Sequence, residues 1–234
     1  MTTLHEELKH RLRRRWIREF ILGGQDGLVN VLGLILGVAV ATSDVKVVLI
    51  AGISALFAES VSMGAVAYTS SKAALDFYHS MRAVEEREVE EVPEEERKEI
   101  RDIYAAKGFR GRLLDQAVST ITADKKVWVD TMMLEELNLT KGQEEEPLKV
   151  GFVVLAATVI GSLIPLLPFF FLDIKNGAIA AVVLSIAALF AAGIAKAKLT
   201  IGSWKKSGLE LAVVGTLAAA VGYGIGKALE WLFL

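Results

Sequence analysis

Acidic side chains recur at helical spacing in the middle of this 234-residue chain, and two adjacent methionines follow them. Residues three or four apart share one helix face, and this spacing relates Glu85 to Glu88, Glu96 to Glu99, and Met132 and Met133 to Glu136. Helical bundles bind metals in their cores with inward-facing carboxylates, and a thioether favours a borderline transition metal over magnesium or calcium. The pattern predicts a metal site made by three helices. A solvated acidic face, with the methionines as core filler, is the alternative.

A second group of polar residues interrupts apolar sequence. Asp26 and Asn30 are four apart beside several glycines, and Glu59 and Met63 are four apart in the next apolar run. A charge deep in a membrane helix costs about 3 kcal/mol and usually marks a functional site. The four residues predict a cation path, with a proton bound when the cation is absent. The alternatives are an ion pair of Asp26 with Arg18 at the interface, and a structural hydrogen bond from Glu59 to a serine or threonine.

Five apolar segments surround these residues, each long enough for a membrane helix. They run roughly over residues 22–41, 45–70, 148–172, 177–195 and 209–232, in a chain with 53% hydrophobic residues and a mean hydropathy of +0.45. The first contains Asp26 and lacks a cleavage pattern, so we expect it to remain in the mature protein. Pro165 and Pro168 should bend or break the third segment. The predicted fold class is all-α, a polytopic membrane protein with five transmembrane helices.

The charge distribution divides the chain into four predicted parts. Residues 1–20 form an amphipathic, arginine-rich interfacial helix, with partner binding as the alternative. Residues 21–70 hold transmembrane helices 1 and 2, residues 71–147 a cytoplasmic acidic helical domain that binds metal, and residues 148–234 transmembrane helices 3 to 5. Basic residues crowd before the first segment and after the fourth, which places the N-terminus and the acidic domain in the cytoplasm and the C-terminus outside or in a lumen.

Helix start and stop signals subdivide the acidic domain. The second membrane helix should continue through Glu91, and Pro93 should end it and begin the next helix, which stops before Gly108. A third helix is predicted over residues 111–122. A fourth is predicted from Asp124, as N-cap, to Leu139.

Composition excludes several function classes. The chain has no cysteine and three histidines, which removes thiolate sites and most imidazole catalysis. It shows no Walker loop, dinucleotide fingerprint or nucleophile elbow. The acidic middle of the chain argues against nucleic acid as a partner. What remains to bind a metal is carboxylate, amide, carbonyl and methionine sulfur.

The combination of these segments resembles the vacuolar iron transporter family, which includes the yeast-type calcium-cross-complementer carriers. The resemblance rests on DGLVNVLGLILGV, AESVSMGAVAY, the acidic insert followed by MMLEE, and GSLIPLLPFF, in this order. It implies a transporter rather than an enzyme, with no tightly bound cofactor. The transporter would be a homodimer in a lipid membrane that exports Fe2+ from the cytosol in exchange for protons, with Mn2+, Co2+ and Zn2+ as further candidate substrates. It also implies that Asp26 and Met63 lie on the ion path and that the insert's ligands are Glu85, Glu88, Glu96, Glu99, Met132, Met133 and Glu136.

Two rival functions remain open. A membrane-anchored carboxylate metalloenzyme could oxidise iron in the insert, although the insert has no Glu-x-x-His pair. A metal-sensing regulator could use the insert to bind a partner protein. The resemblance implies a cell membrane in a prokaryote and a vacuole-type membrane in a eukaryote. The preferred metal, the proton stoichiometry, the metal count and the register of residues 94–99 are not fixed by the sequence.

Overall fold

The structure, a computed structural model, describes residues 4–140, 146–199 and 203–233, with the side chains of 4–15, 199 and 233 left undescribed. Every regular element in these ranges is helical. In chain order the helices are α1 (Leu4–Thr42), α2 (Val45–Glu91), α3 (Pro93–Ala106), α4 (Gly111–Ile121), α5 (Lys125–Glu135), α6 (Pro147–Leu166), a 3-10 turn (Leu167–Phe170), α7 (Ile174–Leu199) and α8 (Trp204–Phe233).

Five of these helices are long and apolar enough to cross a membrane. The spans lie in residues 16–42, 45–91, 147–170, 174–198 and 204–232. The prediction of an all-α chain with five membrane helices is thus confirmed for the part of the chain described. Asp44 begins the second span by accepting a hydrogen bond from the Lys46 amide at 2.8 Å, as an N-cap side chain does.

The structure shows how the N-terminal segment joins the first span and how the third span ends. Helix α1 runs without a break through residues 4–42, so the predicted N-terminal amphipathic segment and the first span share one helix. Its amphipathic face depends on side chains outside the described residues and stays a prediction. Pro165 lies inside α6, and Pro168 opens the 3-10 turn that follows. The third span therefore ends in a tightened turn, which agrees with the predicted effect of both prolines.

The chain divides into two compact units. One comprises residues 1–68 and 147–234, called here the membrane unit, and the other comprises residues 69–146, called here the acidic unit. The membrane unit has a core in which Leu32, Ile35, Val48, Leu166 and Phe169 are almost completely buried. In this core, apolar side chains of α1, α2 and α6 pack against one another, and their burial stabilises the membrane unit.

Glycines bring the backbones of α1 and α6 into direct contact. A Cβ at Gly161 would collide with the carbonyl oxygen of Gly24, and a Cβ at Gly23 would come within 2.7 Å of the Val154 carbonyl oxygen. Small residues permit such close approach between membrane helices. The position of α1 therefore depends on residues that lack a side chain.

Replacing Gly161 with alanine should destabilise the membrane unit by about 1–3 kcal/mol, because the new methyl group must displace the α1 backbone. The measurement is thermal unfolding of the detergent-solubilised protein. Gly224→Ala is the matched control, since no atom lies within 4 Å of a Cβ at this position in the same set of membrane helices. Equal melting temperatures for the two variants would contradict the expected role of this contact.

The acidic unit has its own hydrophobic core. Residues from each of its helices contribute, among them Tyr78, Ile100, Val118 and Trp128. Asp124 caps α5 by accepting hydrogen bonds from the amides of Lys126 (2.8 Å) and Val127 (3.1 Å), as predicted. The predicted end of this helix at Leu139 is wrong. Helix α5 ends at Glu135, and Asn138 adopts a positive φ of 54°, which a continuing helix does not allow.

Candidate functional site

Polar residues of the first two membrane helices lie close together on a face of the membrane unit, where Asn30 is exposed and Asp26 and Glu59 are half-buried. Asn30 of α1 donates a hydrogen bond from its side-chain amide to the Glu59 carboxylate of α2. The Asp26 carboxylate, one turn before Asn30, lies within hydrogen-bonding reach of Glu59. Two carboxylates and one amide thus converge in an apolar stretch. Met63 follows Glu59 by one turn and is half-buried.

The alternatives left open for these residues can now be compared with the contacts. The hydrogen-bond partner of Glu59 is an asparagine, rather than the serine or threonine of the alternative interpretation. Asp26 and Arg18 are eight residues apart on one continuous helix, a rise of about 12 Å, and no ion pair joins them among the described residues. Two carboxylates this close to each other can bind a divalent cation together, or hold a proton when no cation is bound.

Sequence reasoning missed a group of hydroxyls beside this cluster. Ser162 of α6 is fully buried, its Oγ has no hydrogen-bond partner in the described part of the chain, and it packs against Gly27, the neighbour of Asp26. Thr158, one turn earlier, donates to the Val154 carbonyl oxygen at 2.8 Å. The four-residue spacing of these small polar residues is visible in the sequence, but their orientation toward α1 requires the packing of the two helices.

Five glutamates of the acidic unit lie close enough to repel one another. Glu85 interacts with Glu88, Glu99 and Glu136, and Glu96 interacts with the same three carboxylates and with Glu85. Glu85 and Glu96 are buried, with 5% and 4% of their surface exposed, and one carboxylate oxygen of each has no hydrogen-bond partner in the described residues. Buried, unpartnered carboxylates of like charge are costly, so a cation would be favourable here.

Burial and mutual repulsion determine the proton affinity of this cluster. Burial, reinforced by the nearby carboxylates, raises the pKa of Glu85 from 4.5 to about 7 and that of Glu96 also to about 7. Burial and the neighbouring Glu99 raise the pKa of Glu136 as well. Near neutral pH Glu85 and Glu96 are therefore partly protonated, and a divalent cation competes with their protons.

Local contacts explain why these glutamates converge. On α2, Arg82 contacts Asp130 of α5 through an ion pair of 2.6 Å, which fixes the two helices one turn before Glu85. On α3, Glu96 and Ile100 form the buried face, whereas Glu94 and Glu95 are exposed. Among the glutamates at 94–96, burial therefore favours Glu96 as a ligand, and the ligand register itself stays a prediction.

The methionines have a different environment from the one predicted for ligands. Met132 and Met133 are completely buried and belong to the hydrophobic core of the acidic unit. Both lie within the turn before Glu136. Among the described residues no three His, Asp or Glu side chains are already grouped closely enough to hold an ion. The seven predicted ligands therefore stay a prediction, supported by the convergence of their five carboxylates.

Known proteins resemble this chain over most of its length. A family model described as the VIT family matches residues 17–227. The chain is 32% identical to "Vacuolar iron transporter 1" of Eucalyptus grandis, over 92% of this chain and 86% of the relative. It is 33% identical to "Vacuolar iron transporter 2" of Oryza sativa subsp. japonica, over 95% and 91%. A "Vacuolar iron transporter" of Toxoplasma gondii is 33% identical, over 98% and 80%.

Proposed function

Because this chain belongs to the VIT family of membrane proteins, we propose that it exports ferrous iron from the cytosol in exchange for protons. Its relatives are named as transporters rather than enzymes, which agrees with the expectation that the chain is not an enzyme. The observation that carries the proposal is the cluster of Asp26, Asn30 and Glu59, two carboxylates and an amide on adjacent helices long enough to span a membrane.

The proposed ion path passes Asp26, Asn30, Glu59 and Met63. Carboxylate oxygens and a thioether together suit Fe2+ or Mn2+ better than a hard cation such as Mg2+. Proton binding at Asp26 or Glu59 would reset the carrier after the metal leaves, since a divalent cation and protons compete for the same carboxylates. The two rival functions do not need charged residues inside the membrane helices.

The proposed role of the acidic unit is to gather metal before transport. Its support is the convergence of five carboxylates, with Glu85 and Glu96 buried and incompletely hydrogen-bonded. We place this unit and the N-terminus in the cytosol, because basic residues precede the first span and follow the fourth. A homodimer is proposed from the family resemblance. In such a pair, α1 of each subunit would line the path.

Transport by the full-length protein in liposomes tests the proposal directly. Uptake of Fe2+, Mn2+, Co2+, Zn2+ and Mg2+ is measured with and without a pH gradient, while an internal dye reports proton movement. We expect Fe2+ uptake that a proton gradient drives and that moves protons in the opposite direction. Metal uptake that does not depend on the pH gradient would contradict antiport, and the absence of any metal flux would contradict transport.

Asn30→Ala should lower the initial rate of metal uptake about tenfold. The substitution removes the amide that donates to Glu59, and a hydrogen bond to a charged group contributes about 1.5–3 kcal/mol, or roughly a factor of ten or more. Asn176→Ala is the matched control, because Asn176 in the first turn of α7 donates to Asp173, the residue before this helix, at 2.6 Å. An unchanged rate in Asn30→Ala would show that Asn30 does not contribute to the ion path.

A further inference from the structure

One residue of the acidic unit has a strained backbone conformation. Asn138 has a φ of 54°, in the left-handed region that residues other than glycine rarely adopt. Among the described residues, the only other non-glycine residue with a positive φ is Ser43, in the turn between α1 and α2. Such strain persists only where surrounding contacts hold it, and it clusters at functional segments. Asn138 lies two residues after Glu136, a member of the predicted ligand set.

Backbone hydrogen bonds fold the chain back onto the end of α5 at this point. The Leu137 amide donates to the Met132 carbonyl oxygen at 3.3 Å, and the Leu139 amide donates to the Met133 carbonyl oxygen at 2.7 Å. In an α-helix each amide bonds to the carbonyl four residues earlier, so these longer-range bonds need a reversal of the chain. The positive φ of Asn138 provides it. Residues 136–139 are called here the hook.

Alternate residues attach the hook to the acidic unit. Leu137 and Leu139 are partly buried and pack against the hydrophobic core, whereas the other two residues of the hook are exposed. Glu135, the residue before the hook, forms an ion pair with Lys107, which follows the last turn of α3. The backbone at Glu136 is therefore held on both sides.

Glu136 needs this restraint because neighbouring carboxylates repel it. Its carboxylate lies within hydrogen-bonding reach of Glu99 and interacts with Glu88. Helix α5 ends at Glu135, so no further helical turn holds Glu136 in place. Without the hook, like-charge repulsion would favour a chain end that moves away from the cluster. A ligand that is already held in its bound position lowers the free-energy cost of binding an ion.

We propose that Asn138 is a positioning residue for metal binding, because its left-handed conformation closes the hook and holds the Glu136 carboxylate beside Glu88 and Glu99. The inference rests on the proposed role of the acidic unit in gathering metal. Metal binds the molecules with a closed hook, so the apparent affinity falls with the fraction of molecules in which the hook is closed. Asn138 acts through Glu136 and is not itself a ligand.

Substitutions of Asn138, followed by titration of the full-length protein with Mn2+, test this role. Asn138→Val should weaken the affinity about tenfold, because the strain of a β-branched residue in the left-handed region shifts an equilibrium by roughly this factor. Asn138→Gly should bind at least as tightly as the wild type, since glycine adopts a positive φ without strain. Ser43→Val is the matched control. It introduces similar strain at a φ of 50° outside the acidic unit and should leave the Mn2+ affinity unchanged.

A double-mutant cycle separates positioning from a general loss of structure. Glu136→Gln alone should weaken Mn2+ binding at least about tenfold, since even outer-shell partners of metal ligands contribute this much. In the Glu136→Gln background, Asn138→Val should cause no further loss. Hydrogen–deuterium exchange of peptides from residues 69–140 shows whether the valine variant keeps the fold of the acidic unit. If it does not, the milder Asn138→Ala decides, with an expected loss of about threefold.

Three results would overturn the proposal while leaving the metal-gathering role intact. They are an unchanged affinity in the folded valine or alanine variant, a loss that persists in the Glu136→Gln background, and equal losses in the glycine and valine variants. The last result would assign the effect to the asparagine side chain rather than to the backbone conformation. A wild-type protein that binds no Mn2+ would overturn the gathering role together with this inference.

Discussion

Asp26→Asn should lower the initial rate of metal uptake into proteoliposomes by a factor of at least about 100. Asparagine has nearly the same shape, so the change removes the charge beside Glu59 and little else. A factor of 100 corresponds to roughly 3 kcal/mol, which is comparable to the cost of one uncompensated charge at the membrane centre. The measurement is the initial rate of Fe2+ or Mn2+ uptake under a pH gradient, normalised to reconstituted protein.

Asp44→Asn provides the control for this substitution. Asp44 caps α2 at the other end of the first two spans, and asparagine is as good an N-cap as aspartate. This variant should transport at the normal rate. If Asp26→Asn also transports normally, Asp26 is not on the ion path. If both variants fail to reconstitute as folded protein, a melting curve in detergent will show it before any flux is measured.

The helices of this protein could be predicted from its sequence because their signals are local. Apolar length identified the five spans, Pro93 and Gly108 bounded one helix of the acidic unit, and Asp124 began another. These signals depend on backbone geometry and solvation within one or two turns. The end of α5 was predicted four residues too late, because the turn at Asn138 carries no glycine or proline to mark it.

The geometry of the sites could be predicted only in part. Helical spacing placed Asp26 with Asn30, and Glu85 with Glu88, on common faces. It could not show that Asn30 donates to Glu59, nor that Glu96 is buried while Glu94 and Glu95 are exposed. Those facts depend on how one helix is rotated against another. Each rotation is set by contacts between residues distant in sequence, such as Gly161 of α6 with Gly24 of α1 in the membrane unit, and Arg82 of α2 with Asp130 of α5 in the acidic unit.

Glu85→Gln combined with Glu96→Gln should remove most of the pH dependence of the stability of the acidic unit and should weaken its metal binding. Both pKa values are about 7 in the folded protein, against an ordinary value of 4.5, chiefly because burial disfavours the charged form. Between pH 4.5 and about pH 7, the folded chain therefore binds more protons than the unfolded chain. Stability is highest below about pH 4.5 and falls as the pH rises to about 7.

Hydrogen–deuterium exchange of peptides from residues 69–140, in the full-length protein without metal, measures this stability. In the wild type we expect protection to fall from pH 5 to pH 8 after correction for intrinsic exchange rates. The double variant should lose much less protection over this range, because glutamine carries no charge to desolvate and Glu136 alone keeps a raised pKa in this cluster. Glu94→Gln combined with Glu95→Gln is the matched control, since both side chains are exposed on the same helix, and it should retain the wild-type pH dependence.

Titration with Mn2+ completes the test, because these two glutamates are the most buried carboxylates of the predicted ligand set. Outer-shell partners of metal ligands alone contribute about 10–100-fold to affinity, so losing two ligands should weaken binding at least about 100-fold. Metal should also restore protection at pH 8 in the wild type, since it neutralises the repulsion that high pH creates. A double variant that binds Mn2+ normally would exclude Glu85 and Glu96 as ligands. One that keeps the pH dependence would instead show that other groups cause it.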